Sequence, residues 1–167
     1  MIENKMILSN EEIKKLVQEK SLLENHEDKN IGGAGVDLRV GRYYRIKSPA
    51  KLGVTERELP VIEELADDWI TVKPSEYILI ETMEKVNMPT DIAAWMRHRS
   101  TLQRSGVGLL TALIDPGYNG TLTFGLRNFG EHPFKLQRGA RVGQIIFSRM
   151  SSAGKEYDGR YQGGNVV

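Results

Sequence analysis

The chain contains no cysteine, so neither a disulfide nor a thiolate-bound zinc is open to it. Histidine is nearly as scarce. His26, His98 and His132 stand far apart, without the short spacing that a histidine-built metal site uses. An excess of one charge is missing too. Acidic and basic residues almost cancel, leaving a formal net charge of +1, whereas a general nucleic-acid binder carries a strongly basic face. No apolar run approaches ~18 residues, and the N-terminus has no apolar core of the signal-sequence kind. These absences exclude nucleic acid and membrane as expected partners and point to a cytoplasmic location.

What is present starts with a helix. Ser9 followed by Glu12 forms a capping-box pattern, and Ile7, Ile13, Leu16, Val17, Leu22 and Leu23 recur at roughly helical spacing. One N-terminal helix is predicted over 8–25. Residues 26–34 are polar and read as a loop. Val36–Val40 then alternates with period two and continues through Gly41 into Tyr43–Ile46, which predicts a strand. In 47–68, lysine, proline, glycine and acidic residues dominate, as in an inserted or exposed loop with one short strand. Beyond it come short strand-like runs at Trp69–Val72, Tyr77–Thr82, Ile92–Arg97, Gly108–Ile114, Thr121–Asn128, His132–Leu136 and Arg141–Arg149. Many short strands between turn signals argue for an all-β sandwich or barrel. At 167 residues the length suits a single domain over 1–167. Residues 154–167, rich in glycine with Tyr157, Arg160 and Tyr161, read as a mobile tail that is either a frayed end or a strap over a ligand.

Two stretches carry candidate chemistry. Leu113–Phe124 reads as strand, tight turn and strand, with Pro116-Gly117 and Asn119-Gly120 as turn signals and the carboxylate of Asp115 at the entry to the turn. An aspartate there either orients a water or caps its own turn. Just upstream, Arg97, Arg99, Ser100, Thr101 and Arg104 offer guanidinium forks, hydroxyls and main-chain N–H groups, a set that binds phosphate oxygens. A solvated basic loop or a subunit contact explains the same residues. Gln144, in the apolar run Val142–Phe147, faces solvent or meets a polar partner, because an unpaired buried amide costs about 1–3 kcal/mol.

Four segments follow one another in a recognisable order: Gly33-Ala34-Gly35-Val36-Asp37-Leu38-Arg39 with Gly41; Arg99-Ser100-Thr101-Leu102 with Gly106; Ile114-Asp115-Pro116-Gly117-Tyr118-Asn119-Gly120; and Gly139–Phe147. Together they resemble the motifs of the dUTPase/dCTP deaminase superfamily. Tyr157–Gly163 is similar to its closing motif, and Met6-Ile7-Leu8-Ser9 looks like the opening of dCTP deaminases with five residues ahead of it. The resemblance implies a mostly β, distorted jelly-roll barrel or sandwich with one N-terminal helix, assembled as a homotrimer with shared sites. It further implies that Ser100, Arg99 and Arg104 hold a triphosphate and that Asp115 positions the attacking water. Tyr118 would pack under the deoxyribose, with Thr111, Ala112 and the main chain around them at the base. Gln144 would contact phosphate or the base pocket, and Arg160 and Tyr161 would close over the nucleotide. Asp37 would lie near Mg2+, through water, with the metal held mainly by the triphosphate.

The branch turns on one position. Deaminating cytosine requires a general acid/base beside the ring; the resemblance places that glutamate ten residues after the motif aspartate, and here Gly125 stands there. The nearest acid downstream, Glu131, lies beyond Asn128 and Gly130. The expectation is therefore dUTP diphosphatase, converting dUTP and water to dUMP and pyrophosphate. The alternatives are a dCTP deaminase, mono- or bifunctional, and a catalytically silent nucleotide-binding or regulatory homologue. The closing motif also departs from the pattern. It lacks the phenylalanine of ordinary dUTPases, leaving Tyr161, and Gly164 occupies the place of a deaminase-type glutamine.

Overall fold

The computed structural model describes residues 6–167; residues 1–5, which precede the opening motif, lie outside the described residues. Helix α1 spans Asn10–Lys20. Ser9 caps it, its side-chain oxygen accepting from the Glu12 N–H at 3.4 Å, while the Glu12 carboxylate turns to Arg149 at 3.7 Å instead of completing the box. The helix is shorter than the predicted 8–25. Ser21 adopts a left-handed φ of 51° and its N–H closes on the Leu16 and Val17 carbonyls. Leu22 and Leu23 are buried all the same, because β1 (Leu23–Glu24) leaves the helix and pairs Leu23 with Val86. Burying a leucine is worth about 1.5–3 kcal/mol, well above the few tenths that helix propensity distinguishes per residue.

After a 3-10 turn at Asp28–Asn30, β2 (Ile31–Gly32) folds back on the long strand β3 (Gly35–Ile46). The 47–68 stretch holds three short strands where one was expected. β4 (Lys51–Leu52) and β5 (Arg57–Glu58) form a hairpin, and β6 (Ile62–Leu65) pairs with the end of β3. β7 (Trp69–Val72), β8 (Tyr77–Asn87) and β9 (Ile92–His98) follow, then the short helix α2 (Ser100–Arg104). The predicted strand Gly108–Ile114 is broken at Thr111-Ala112 into β10 (Val107–Leu110) and β11 (Leu113–Ile114). β12 (Asn119–Asn128), β13 (Phe134–Gln137) and β14 (Arg141–Arg149) complete the order.

All pairings are antiparallel, and the main path runs β10-β12-β8-β3-β14-β9-β11. β3 joins its two halves. Up to Arg39 it lies against β14, and from Val40 onward against β8, with a register shift between Val40 and Arg42. Gly41 sits at that shift, where a Cβ would come within 3.2 Å of the Met83 nitrogen. A strand that changes partner at a bulge curls its sheet, and the curl encloses Leu38, Tyr43, Ile78, Ile80, Leu126, Ile145 and Phe147, all fully buried. A fully buried carboxylate lies inside as well. The buried Glu84 carboxylate accepts from the Arg39 N–H at 2.8 Å and from Arg39 Nε at 2.7 Å, and Arg39 Nη1 reaches Glu27 at 2.6 Å. The fold is thus mostly β around a curled antiparallel sheet with one long helix. Among the described residues no helix is long and apolar enough to cross a membrane.

Candidate active site

Leu113–Phe124 was expected as a hairpin, but its two strands do not pair with each other. Leu113 and Ile114 pair with Trp95 and Ala94 of β9. β12 pairs with β8 on one edge and with β10 on the other, the latter ladder ending at Leu110 opposite Gly125. Past that point the chain splays: β11 leaves for β9, and the turn at 115–118 brings it back. The turn is fixed by its own main chain. Tyr118 N–H donates to the Asp115 carbonyl at 3.2 Å, Gly117 N–H to Met88 O at 3.1 Å, and Met88 N–H to Tyr118 O at 2.8 Å. Gly117 supplies the positive φ of 76° that the turn requires.

The splay leaves a pocket of about 240 Å³ whose walls include Ala112, Asp115, Tyr118, Thr123, Tyr157 and Tyr161. That is below the ~300–1,000 Å³ that receives a drug-sized ligand, and suits a single small ring. Where a ladder opens, main-chain donors and acceptors on the facing edges are left for such a ring. Tyr118 is buried, its hydroxyl donates to the Thr121 carbonyl, and its ring meets Tyr157 edge-on with centroids 5.6 Å apart. Burial pushes its phenol up to about 12.

A second group assembles across the sheet. Asp37 of β3, Gln144 of β14 and Arg97 of β9 are lateral neighbours, and such neighbours project from the same face. Asp37 accepts from Arg99 Nη1 and, at 3.2 Å, from Arg141 Nη1. Gln144 lies half-buried over Gly35, where a Cβ would approach its Cγ to 3.0 Å. Arg99 N–H donates to Val142 O at 3.1 Å, which ties the start of α2 to β14. Ser100 and Arg104, at the two ends of α2, are exposed.

Among the described residues no cluster of three histidine, aspartate or glutamate side chains is placed to hold a metal. Asp37 is the one candidate, and its carboxylate is shared by two guanidinium groups. Mg2+ keeps several waters and takes one or two carboxylates plus substrate phosphates. The donor set fits a metal arriving on a phosphate chain, and Asp37 is first of all the anchor of Arg99.

The expected site residues thus fall into two groups. Ala112, Asp115, Tyr118 and Tyr161 line one pocket, with Thr111 beside it donating to Met96 O at 3.3 Å. Asp37, Arg99 and Gln144 form the other, flanked by Ser100 and Arg104. Arg160 is exposed on the tail. Among the described residues no hydrogen bond or ion pair joins the groups. Tyr157 and Arg141 had no expected role. Tyr157 makes a second aromatic wall where Tyr161 alone was expected, and its position in the quoted closing motif was the available signal. Arg141 stands one strand from Asp37, a proximity that only the register creates. The tail lies against the 116–121 segment, with Tyr157 N–H donating to Pro116 O at 2.8 Å.

At position 125 the structure is specific. A Cβ on Gly125 would overlap the phenol of Tyr77, with Cε2 and Cζ at 2.6 Å. Burial shifts the Tyr77 hydroxyl upward. Glu131 lies in the turn beyond the end of β12.

A family model described as dCTP deaminase-like matches residues 7–150. The chain is 34% identical over 165 residues to a probable deoxyuridine 5'-triphosphate nucleotidohydrolase of Archaeoglobus fulgidus, covering 96% of this chain and 98% of that protein. It is 36% identical over 148 residues to a dCTP deaminase of Pyrococcus furiosus, covering 88% of each. Among solved structures, the dCTP deaminase of Agrobacterium tumefaciens superposes with a TM-score of 0.72 at 21% identity over 88% of this chain, which spans 49% of that chain's length. A point mutant of the dUTPase of phage phi11 of S. aureus, described with a structural Mg(II) ion, superposes with a TM-score of 0.54 at 14% identity, covering 81% of this chain and 90% of that one. Both share the fold.

Proposed function

The chain belongs to the dCTP deaminase-like family, and from that premise we propose that it is a dUTP diphosphatase, hydrolysing dUTP to dUMP and pyrophosphate. One observation carries the choice: position 125 has no side chain, and the Tyr77 phenol fills the space one would need. Cytosine deamination requires a group that moves protons between water and ring, and position 125, two residues along β12 from the pocket-lining Thr123, offers none. Hydrolysis of a phosphoanhydride needs an oriented water and charge stabilisation, for which the residues are present.

In this reading the uracil enters the pocket between 112–114 and 122–124, where main-chain groups meet its edge. Tyr118 lies beneath the deoxyribose and leaves no room for a 2′-hydroxyl. Asp115 accepts a hydrogen bond from the attacking water and takes its proton as the oxygen bonds to the α-phosphorus. The bond from that phosphorus to the α,β-bridging oxygen breaks, and pyrophosphate leaves. Arg99, Ser100 and Arg104 hold the phosphate oxygens, with Asp37 and Arg141 keeping Arg99 in place, and Gln144 and Arg160 border the same chain of phosphates. Asp37 is the residue that would help hold Mg2+ arriving with the triphosphate, and the ion would supply charge neutralisation at the phosphate oxygens. The two residue groups complete one site when pocket and phosphate grip come from neighbouring copies, which supports a homotrimer. Exposed Leu110, Leu113 and Phe129 offer apolar surface for such contacts.

The test is product analysis with dUTP, dCTP, dTTP and UTP side by side in Mg2+. Expected are pyrophosphate and dUMP from dUTP, and no ammonia from dCTP. Ammonia from dCTP, or dUTP hydrolysis unaffected by Asp115→Asn, overturns the reading.

A further inference from the structure

The C-terminal segment is fastened to the turn that carries Asp115, and one side chain makes the connection. Gln162 accepts from the Asn119 N–H through Oε1 at 2.8 Å. Its Nε2 donates to Gly117 O at 3.0 Å and to Tyr157 O at 3.1 Å. The amide therefore bridges both sides of the turn and the tail residue that walls the pocket. Main-chain bonds run alongside: Tyr157 N–H to Pro116 O and Gly163 N–H to Asn119 O, both 2.8 Å. The fit depends on missing side chains. A Cβ on Gly120 would lie 2.7 Å from the Gly163 carbonyl carbon, and one on Gly164 would lie 3.0 Å from the Thr121 nitrogen. Gly163 and Gly164 also hold positive φ values of 87° and 89°, which glycine adopts without steric cost. Gly164, where the tail departs from the deaminase pattern, is thus a close backbone contact in this chain.

We propose that Gln162 is a positioning residue that fastens the tail to the 115–119 turn of its own chain, holding Asp115 and the Tyr157 and Tyr161 walls in working geometry before a nucleotide binds. The inference rests on the dUTP diphosphatase reading. Among the described residues the Asp115 carboxylate makes no hydrogen bond of its own, so its aim is set by the main chain of the turn. That main chain is what Gln162 grips. A displacement of about 1 Å at a reacting group costs up to about 10²-fold in rate, and docking the tail in advance removes its ordering cost from the binding step.

The experiment compares full-length wild type, Gln162→Ala, Gln162→Glu and Gly164→Ala by steady-state dUTP hydrolysis, and by trypsin cleavage after Lys155 and Arg160 without nucleotide. Gln162→Ala is expected to lower kcat about tenfold while KM changes less than about threefold, because the phosphate contacts are untouched. Gln162→Glu keeps the acceptor for Asn119 N–H and loses both donations, so its kcat falls between the two. A role confined to folding lowers the active fraction and with it the apparent kcat at unchanged KM, so kcat is referred to the concentration of nucleotide-binding sites, on which basis a folding role leaves it at the wild-type value. Both alanine variants are expected to be cut faster than wild type. An unchanged kcat in Gln162→Ala, with wild type active, overturns the proposal and leaves the function reading intact. Inactive wild type overturns that reading instead, and the trypsin comparison then decides the docking: equal cleavage of wild type and variants removes it.

Discussion

Gly125 and Tyr77 form a close pair on facing strands, and the pair is open to test by volume alone. Gly125→Ala puts a Cβ where the half-buried phenol lies, and because the phenol is the free end of its side chain and can turn aside, the cost is expected at the low end of overpacking, about 1 kcal/mol. A lower urea midpoint is expected, with Tyr77→Ala/Gly125→Ala less destabilised than the sum of the single changes, because contacting sites couple. Ser100 has the opposite profile. It is exposed and makes no side-chain hydrogen bond among the described residues, so Ser100→Ala is expected to leave thermal unfolding unchanged within about 0.5 kcal/mol. Pyrophosphate release should nevertheless fall about 10²–10³-fold, the usual cost of removing one donor to developing charge. The turn at Asp115 and the break at Ser100 were legible because turn chemistry and short-range spacing are local properties. Arg141 and Tyr157 were not, since nothing in their own segments says which carboxylate or ring they meet.

Between strands, the junction of β3 and β8 carries the heaviest electrostatic stake. Glu84 is fully buried and holds Arg39, two residues from Asp37 on the same strand. Glu84→Ala leaves Arg39 with Glu27 and the Asn25 carbonyl as partners, so the loss is expected to stay below the ~3–5 kcal/mol of a fully stranded buried charge; chemical denaturation measures it. Strand patterning located the long strands, with β7 and β14 ending where predicted, and missed β1 and β2, which lie in stretches read as helix and loop. It did not name the strands' partners. Alternation records which residues share a face, whereas the neighbour is chosen by register and by where the chain bends. That is why 113–124 read as a hairpin while β11 pairs with β9. Helix spacing likewise continued through Leu22 and Leu23, and core burial in a strand won over it.

On the scale of the whole molecule, the separation of the pocket from the Asp37–Arg99 group predicts complementation under the proposed dUTP hydrolysis. Asp115→Asn and Ser100→Ala proteins, each inactive alone, should regain dUTP hydrolysis when their subunits are exchanged, with about one site in four restored by random mixing in a cyclic assembly. A site contained in one copy regains nothing. Alkaline stability follows from three tyrosines. Burial pushes Tyr43, Tyr44 and Tyr118 up to about 12, the Glu81 carboxylate adding to the effect on Tyr44. A tyrosine that binds its proton more tightly folded than unfolded contributes fully below the unfolded value near 10. Its contribution is lost as pH rises toward 12. Thermal midpoints should hold below pH ~10 and fall above it, with phenolate absorbance of these rings appearing late.

By itself the sequence determined the strand-rich class, the helix start at Ser9, the turn that carries Asp115 and the absence of an acid at position 125, because each depends on residue type and short-range spacing. Only the tertiary structure decided that β11 and β12 splay into a pocket, that Arg141 shares Asp37 with Arg99, that Tyr77 occupies the Gly125 space, and that the tail lies on the 116–121 segment. These depend on contacts between residues tens of positions apart. Their formation is set by register, curl and volume in the folded chain, which local pattern does not encode.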